Sequence, residues 1–238
     1  MPRTAVLLAG GLGTRIRHLA PQVPKPMISV AGKPFLEWVI GYWRTQGVTR
    51  VAVSLGHLAE VAEAYLATRA PDGIEVIALP EPRPMGTGGA VRFAAARLDA
   101  GDTFVTANAD SLAVADTVPA WRMLEQDDSI DGVVLGVRVE DAGRYGTLVA
   151  DGQGWLTGFR EKAPGAGLIN AGVYFFRRRL LERFADKTPL SMENEVFPEL
   201  IRTGARLHVL GVDAPFLDIG TPESLERAHA FVIEQLAR

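Results

Sequence analysis

Short apolar runs alternate with amphipathic stretches through the first half of the chain, and that order leaves few folds open. Thr4–Leu8, Arg50–Leu55, Ile74–Leu79 and Thr103–Ala107 each read as a strand. Between them Phe35, Leu36, Val39, Ile40 and Trp43 recur at helical spacing after Pro34, as do Ala90, Val91, Ala94, Ala95 and Leu98 after the Gly86–Gly89 run. Such alternation builds a parallel sheet with helices on both faces. From Asp131 onward the pattern turns strand-like over Gly132–Val139, Tyr145–Val149, Trp155–Phe159 and Ala171–Phe176. A last helix then opens at Thr221-Pro222-Glu223 and runs on through Leu225, Ala228, Val232 and Leu236. The second half is therefore expected to extend the same sheet in mixed orientation. No linker rich in Pro, Gly or Ser divides the 238 residues, so a single domain is expected.

The first strand runs directly into Gly10-Gly11-Leu12-Gly13-Thr14, at the carboxyl edge where open α/β sheets bind ligands. Glycines there let backbone N–H groups approach phosphate oxygens, although a plain tight turn has the same composition. Two familiar patterns fail on spacing. A dinucleotide fingerprint needs glycine where the chain has Ile16, and the Gly-Lys-Ser/Thr of a Walker loop is absent. Arg15, Arg17 and Lys25 favour an anion, and Lys25 stands between Pro24 and Pro26, whose rings restrict its backbone. A second glycine cluster, Pro84–Ala90, also follows a strand and opens a helix, offering further donors at a helix N-terminus. Its plain alternative is a helix start capped by Thr87.

Composition removes several function classes. A net charge of −3 disfavours nucleic acid as a partner, and no apolar run is long enough to cross a bilayer. The five apolar residues Ala5–Ala9 fall short of a signal-peptide core, so a cytoplasmic protein is expected. Without cysteine there is no thiolate nucleophile or Cys-type zinc site, and His18, His57, His208 and His229 show no ligand spacing. A metal is therefore expected on carboxylates.

Leu8-Ala9-Gly10-Gly11-Leu12-Gly13-Thr14-Arg15 together with Pro24-Lys25-Pro26 resembles the signature of the sugar-1-phosphate nucleotidyltransferases. The likeness continues, in that family's order, through Gly86-Thr87-Gly88-Gly89-Ala90, Asn108-Ala109-Asp110, Tyr145-Gly146, Glu161-Lys162, Asn170-Ala171-Gly172-Val173-Tyr174 and Phe216–Glu223. In detail it is most similar to the short D-glycero-α-D-manno-heptose 1-phosphate guanylyltransferases, which share Leu168–Gly172 and Glu81-Pro82. Mannose-1-phosphate guanylyltransferases typically add a C-terminal β-helix, for which this chain is expected to be too short. Two positions depart from the pattern: Ala109 stands where glycine is usual, and Ala163 separates Lys162 from its proline.

The resemblance implies a single-domain nucleotide-diphospho-sugar transferase (Rossmann-like) fold, an α/β fold with a mixed, mainly parallel central sheet flanked by helices. Its nucleotide-binding half would cover about 1–130 and its sugar-binding half about 131–238. It implies a reaction in which an NTP and a sugar 1-phosphate give an NDP-sugar and pyrophosphate, and the residues suit that chemistry. A phosphate nucleophile is already anionic, so positioning and charge stabilisation suffice and no histidine dyad is needed. The implied catalytic residues are Arg15, Lys25, Asp110 and Lys162. Leu8, Ala9, Gly10, Gly11, Gly13, Thr14, Glu81, Gly86, Thr87 and Asn108 would bind the nucleotide, and Tyr145, Gly146, Glu161, Lys162 and Asn170 the sugar phosphate. Asp110 and Asp218 would hold Mg²⁺, with Mn²⁺ as a substitute. Glu81 points to GTP, because two carboxylate oxygens match the adjacent N1–H and N2–H₂ donors of guanine. Uridylyl, thymidylyl or mannose-1-phosphate guanylyl transfer are the nearest alternatives, and the resemblance leaves room for a homo-oligomer.

Two readings of other classes remain open. Ala52-Val53-Ser54-Leu55-Gly56 is one residue from a hydrolase nucleophile elbow, with Asp110 and His208 in the right chain order for a triad. A non-catalytic nucleotide-sugar sensor would use the same loops without turnover.

Overall fold

A computed structural model describes residues 3–11, 13–16, 18–69, 71–98, 101–160 and 164–237. β1 (Arg3–Ala9) leads to a small hairpin of β2 (Ser29–Val30) and β3 (Lys33–Pro34). It is followed by α1 (Phe35–Thr45), β4 (Val48–Leu55), α2 (Ala59–Arg69), β5 (Glu75–Pro80), α3 (Gly86–Ala95) and β6 (Thr103–Asn108). The chain continues through β7 (Ser111–Ala113), α4 (Val118–Gln126), β8 (Gly132–Val139), β9 (Thr147–Ala150), β10 (Leu156–Arg160) and β11 (Gly167–Arg177). It closes with α5 (Phe197–Arg202), β12 (Leu207–Val212), β13 (Phe216–Asp218) and α6 (Pro222–Leu236).

Nine of the described strands form one sheet, ordered β10-β9-β11-β6-β1-β4-β5, with β8 joined to β11 and β12 to β8. β6, β1, β4 and β5 run parallel, whereas β11 runs against both β6 and β8. The sheet is therefore mixed, with one parallel half formed by β6, β1, β4 and β5 and a further parallel pair, β8 and β12, beyond β11. β1 lies at the middle of that half and is apolar at successive positions because both its faces are covered. Its side chains alternate: Leu7 and Ala9 pack with Phe35, Val39 and Trp43 of α1 and Trp121 of α4, while Val6 and Leu8 pack with Val91 and Ala94 of α3 and Phe197 of α5. Each fully buried Leu or Val contributes roughly 1.5–3 kcal/mol, so the end of β1 is firmly fixed and the glycine loop starts from a rigid point.

The carboxyl ends of the parallel strands meet at one edge. Gly10 follows β1, Gly56 follows β4, Glu81 follows β5 and Asp110 lies just beyond β6. β11, arriving from the opposite direction, pairs Val173 with Ala107, so Asn170–Gly172 extends past the end of β6 at that same edge. α6 starts where its sequence predicts, with Thr221 Oγ1 accepting from the Ser224 amide at 3.3 Å and Pro222 in the first turn.

The expected strand from Tyr145 starts only at Thr147. Tyr145 instead sits in a turn, its amide donating to the Ala142 carbonyl at 2.8 Å and its ring edge-on to Phe216 at 5.5 Å. β7 and β13 form a separate two-stranded ribbon that pairs Ser111 with Asp218.

Candidate active site

The ends of β1, β4 and β5 approach so closely that two glycines are required there. A Cβ on Gly56 would lie 2.6 Å from the Gly10 carbonyl oxygen, and one on Gly10 would lie 2.6 Å from Glu81 Oε1. Glu81 is held firmly at this junction. Its amide donates to the Leu55 carbonyl at 2.7 Å, Ser54 Oγ donates to its Oε1 at 2.9 Å, and the Met85 amide donates to its Oε2 at 3.1 Å. A carboxylate oxygen can accept two hydrogen bonds, so with one made at each oxygen, one acceptor site on each remains. With Leu8, Gly10, Gly11, Gly86 and Thr87, Glu81 lines a cleft of about 130 Å³.

α3 opens at Gly86, whose φ of +71° and backbone approach to Leu190 exclude a side chain: a Cβ would lie 2.5 Å from the Leu190 carbonyl oxygen. The Gly88 and Gly89 amides donate to that same carbonyl at 2.8 and 3.2 Å. The second glycine cluster therefore offers a smaller cradle than its sequence suggests. Gly88 and Gly89 dock Leu190, and Gly86 and Thr87 face the cleft. Thr87 is not a helix cap either, since its Oγ1 accepts from the Met192 amide at 2.8 Å and donates to Glu193 Oε2 at 3.3 Å.

Beside this cleft lies a second, of about 160 Å³, bordered by Gly11, Gly13, Thr14, Arg15, Lys25 and Asp110. Lys25 stands in a short 3₁₀ turn fixed by Pro24, with the Met27 amide donating to the Pro24 carbonyl at 2.8 Å. Its Nζ donates to Asp110 Oδ2 at 2.7 Å and to Asp218 Oδ1 at 3.2 Å. The β7–β13 ribbon makes this meeting possible, and the Ile219 amide secures it by donating to the Asp110 carbonyl at 3.1 Å. Two carboxylates thus converge on one cation-sized position. Among the described residues no third His, Asp or Glu joins them, which suits Mg²⁺, an ion that takes one or two carboxylates and fills its shell with phosphate oxygens and water.

The third and largest space, about 580 Å³, is bordered by Arg15, Asn108, Tyr145, Gly146, Asn170 and Asp218 among others. A bulge in β11 between Asn170 and Tyr174 shapes its wall. Gly172 takes φ +69° in that bulge, and a Cβ there would overlap the side-chain Nδ2 of Asn108. The Gly172 amide donates to Asn170 Oδ1 at 3.0 Å, while Asn170 Nδ2 donates to the Tyr174 hydroxyl at 2.8 Å. Burial raises the Tyr174 phenol well above its ordinary pKa, and the nearby Glu193 charge adds to the shift. Tyr174 therefore remains a donor at neutral pH, directed to Glu193 Oε1 at 3.4 Å. Burial likewise raises Tyr145.

The structure gathers Arg15, Lys25, Asp110, Asp218, Glu81, Asn108, Tyr145, Gly146 and Asn170 around three adjoining spaces, and Arg15 borders two of them. Glu161 and Lys162 lie outside the described residues, as do Leu12 and Arg17. Arg160, just before them, borders the largest space. Sequence reasoning missed Glu193 and Asn194, which reach that space from a single π-helical turn, Met192–Val196; the one available signal was the polar Glu193-Asn194-Glu195 run. It also missed the work of Ser54. That side chain is 0% exposed and bonded to Glu81, while His208 lies on β12, five strand spacings or about 24 Å across the sheet from β4. The hydrolase triad is not assembled.

A family model described as nucleotidyl transferase matches residues 4–235. The chain is 33% identical over 236 residues to a mannose-1-phosphate guanylyltransferase of Mycobacterium tuberculosis, spanning 98% of this chain and 65% of that protein. It is 32% identical over 227 residues to the D-glycero-alpha-D-manno-heptose 1-phosphate guanylyltransferase of Aneurinibacillus thermoaerophilus, spanning 94% of this chain and 96% of the relative. Its fold superposes on the crystal structure of HddC from Yersinia pseudotuberculosis with a TM-score of 0.85 at 31% identity, covering 96% of this chain and 99% of that one. HddC has also been solved in complex with GMP-PN.

Proposed function

Because the chain belongs to the nucleotidyl transferase family, we propose that it moves the guanylyl group of GTP onto a sugar 1-phosphate and releases pyrophosphate. The best-fitting acceptor is D-glycero-α-D-manno-heptose 1-phosphate. The observation that carries the choice of base is Glu81, a carboxylate fixed by Ser54 and the Met85 amide with one acceptor site left on each oxygen. GMP-PN bound to HddC and the likeness to heptose guanylyltransferases over nearly the full length of both chains support the same reading.

In this reading residues 1–130 hold the nucleotide and 131–238 supply most of the sugar site. The base occupies the 130 Å³ cleft, the triphosphate follows the Gly11–Thr14 loop, and the sugar occupies the 580 Å³ space. A sugar-phosphate oxygen attacks the α-phosphorus of GTP. One P–O bond forms, the bond to the bridging α,β oxygen breaks, and pyrophosphate departs with its charge. Arg15, which borders both the sugar and the triphosphate spaces, would stabilise charge that grows in transfer, and Lys25 would receive the leaving pyrophosphate. Asp110 and Asp218 would hold Mg²⁺, which would supply positive charge against the triphosphate. Lys162 positions the sugar phosphate, while Gly146, Glu161 and Asn170 meet sugar hydroxyls.

The acceptor is tested by measuring kcat/KM for pyrophosphate release with GTP fixed and the sugar varied. The heptose 1-phosphate should exceed mannose 1-phosphate and glucose 1-phosphate by about tenfold or more, the scale on which one extra carbon separates related substrates in a shaped pocket. A preference for mannose 1-phosphate would overturn the heptose assignment and leave guanylyl transfer standing.

A further inference from the structure

Lys25 is bound to the same two carboxylates that suit a metal, and the fit is close. Its side chain is only 10% exposed, against 33% for Asp110 and 18% for Asp218. Two glycines make room for it. A Cβ on Gly13 would lie 3.1 Å from Lys25 Cβ, and one on Gly220 would lie 2.8 Å from Asp218 Oδ1 and 3.2 Å from Lys25 Nζ. An ordinary surface ion pair needs no such accommodation.

We propose that Lys25 is a built-in counter-cation that holds the Asp110–Asp218 position until a triphosphate draws its ammonium away. The proposal rests on the nucleotidyl-transfer reading for the identity of the triphosphate. Its physical basis is local. Two carboxylates this close repel each other unless a cation lies between them, and removing that cation leaves uncompensated, partly buried charge. A lysine ammonium sits on a flexible four-carbon stem, so it can turn toward anionic oxygens in the 160 Å³ cleft it already borders. An ammonium and a divalent ion cannot share the gap. Free metal therefore competes poorly for the nucleotide-free protein, and the site becomes available when triphosphate oxygens take over Lys25. Lys25 thus makes metal occupancy conditional on nucleotide and keeps the two aspartates in register meanwhile.

The test uses Mn²⁺ alone, with no nucleotide or sugar, titrated into the full chain and read as loss of the free-ion electron paramagnetic resonance signal. Wild-type protein should bind Mn²⁺ weakly. Lys25→Met should bind it about tenfold tighter or more, because a competing charge at contact distance is gone, and adding Asp110→Asn to that variant should abolish the gain. Lys25→Gln, which keeps a polar group in the gap, serves if Lys25→Met does not fold. Equal affinity in wild type and the Lys25 variants overturns the proposal. So does tight Mn²⁺ binding by nucleotide-free wild type that disappears in Asp110→Asn. Since no turnover is measured, a failed guanylyl-transfer assay leaves this result intact, and failure here leaves the reaction intact.

Discussion

Asparagine at position 110 or 218 lowers kcat by about a hundredfold or more, the scale of losing a major electrostatic contact in a reaction catalysed by charge stabilisation. The substitution keeps the shape of each side chain and removes one charge from a pair that converges on a single cation position. Both side chains reach solvent, and among the described residues the carboxylate of each bonds to Lys25 alone, so little of the core depends on them. The loss should therefore appear in kcat across a Mg²⁺ titration while the thermal midpoint moves by only a few degrees, the shift expected for about 1 kcal/mol or less. Added Mg²⁺ should recover activity only partly. Wild-type turnover in either variant, or in wild type stripped with EDTA, contradicts the two-carboxylate site.

The second large effect concerns the base. GTP should exceed ITP, which lacks the 2-amino group, by about 1.5–3 kcal/mol in kcat/KM, the usual worth of a hydrogen bond to a charged group. UTP should be worse still, because uracil presents an acceptor oxygen where guanine presents a donor. Glu81→Gln should narrow the gap between GTP and ITP, since its amide nitrogen cannot accept. Ser54→Ala should loosen Glu81 by removing the bond at 2.9 Å and produce a smaller change in the same direction. Discrimination is large here because the wrong base leaves the remaining acceptor sites of a desolvated carboxylate unfilled. If Glu81→Ala keeps the wild-type order of GTP, ITP and UTP, the base is read elsewhere, most plainly by backbone groups near Gly86 and Thr87.

The parallel half of the sheet was legible because its signals are local. An apolar run ending in Gly10-Gly11 marks both a buried central strand and the loop that follows it, and Glu81 and Asp110 inherit their edge positions from the strands before them. The short pieces were not legible. β7 and β13 have three residues each and exist only because they pair across about a hundred positions of sequence, a separation no local pattern encodes. The Lys25 contacts have the same character, spanning 85 and 193 positions. Ser54 resembled a nucleophile because its flanking residues form a strand end, and only the arrival of Glu81 from the neighbouring strand gives it another task. Glu193 escaped notice because charged residues in a polar run usually face solvent, whereas Thr87 and Tyr174 draw this one inward.

Guanylyl transfer is tested most directly by incubating the protein with GTP, Mg²⁺ and D-glycero-α-D-manno-heptose 1-phosphate and following both products together. Pyrophosphate and GDP-heptose, the latter identified by mass, should appear in equal amounts, and both should vanish when the sugar phosphate or the metal is omitted. Binding of GDP-heptose with no pyrophosphate formed from any pairing of GTP, UTP, dTTP, CTP or ATP with heptose, mannose or glucose 1-phosphate would contradict the reading and mark the chain as a sensor.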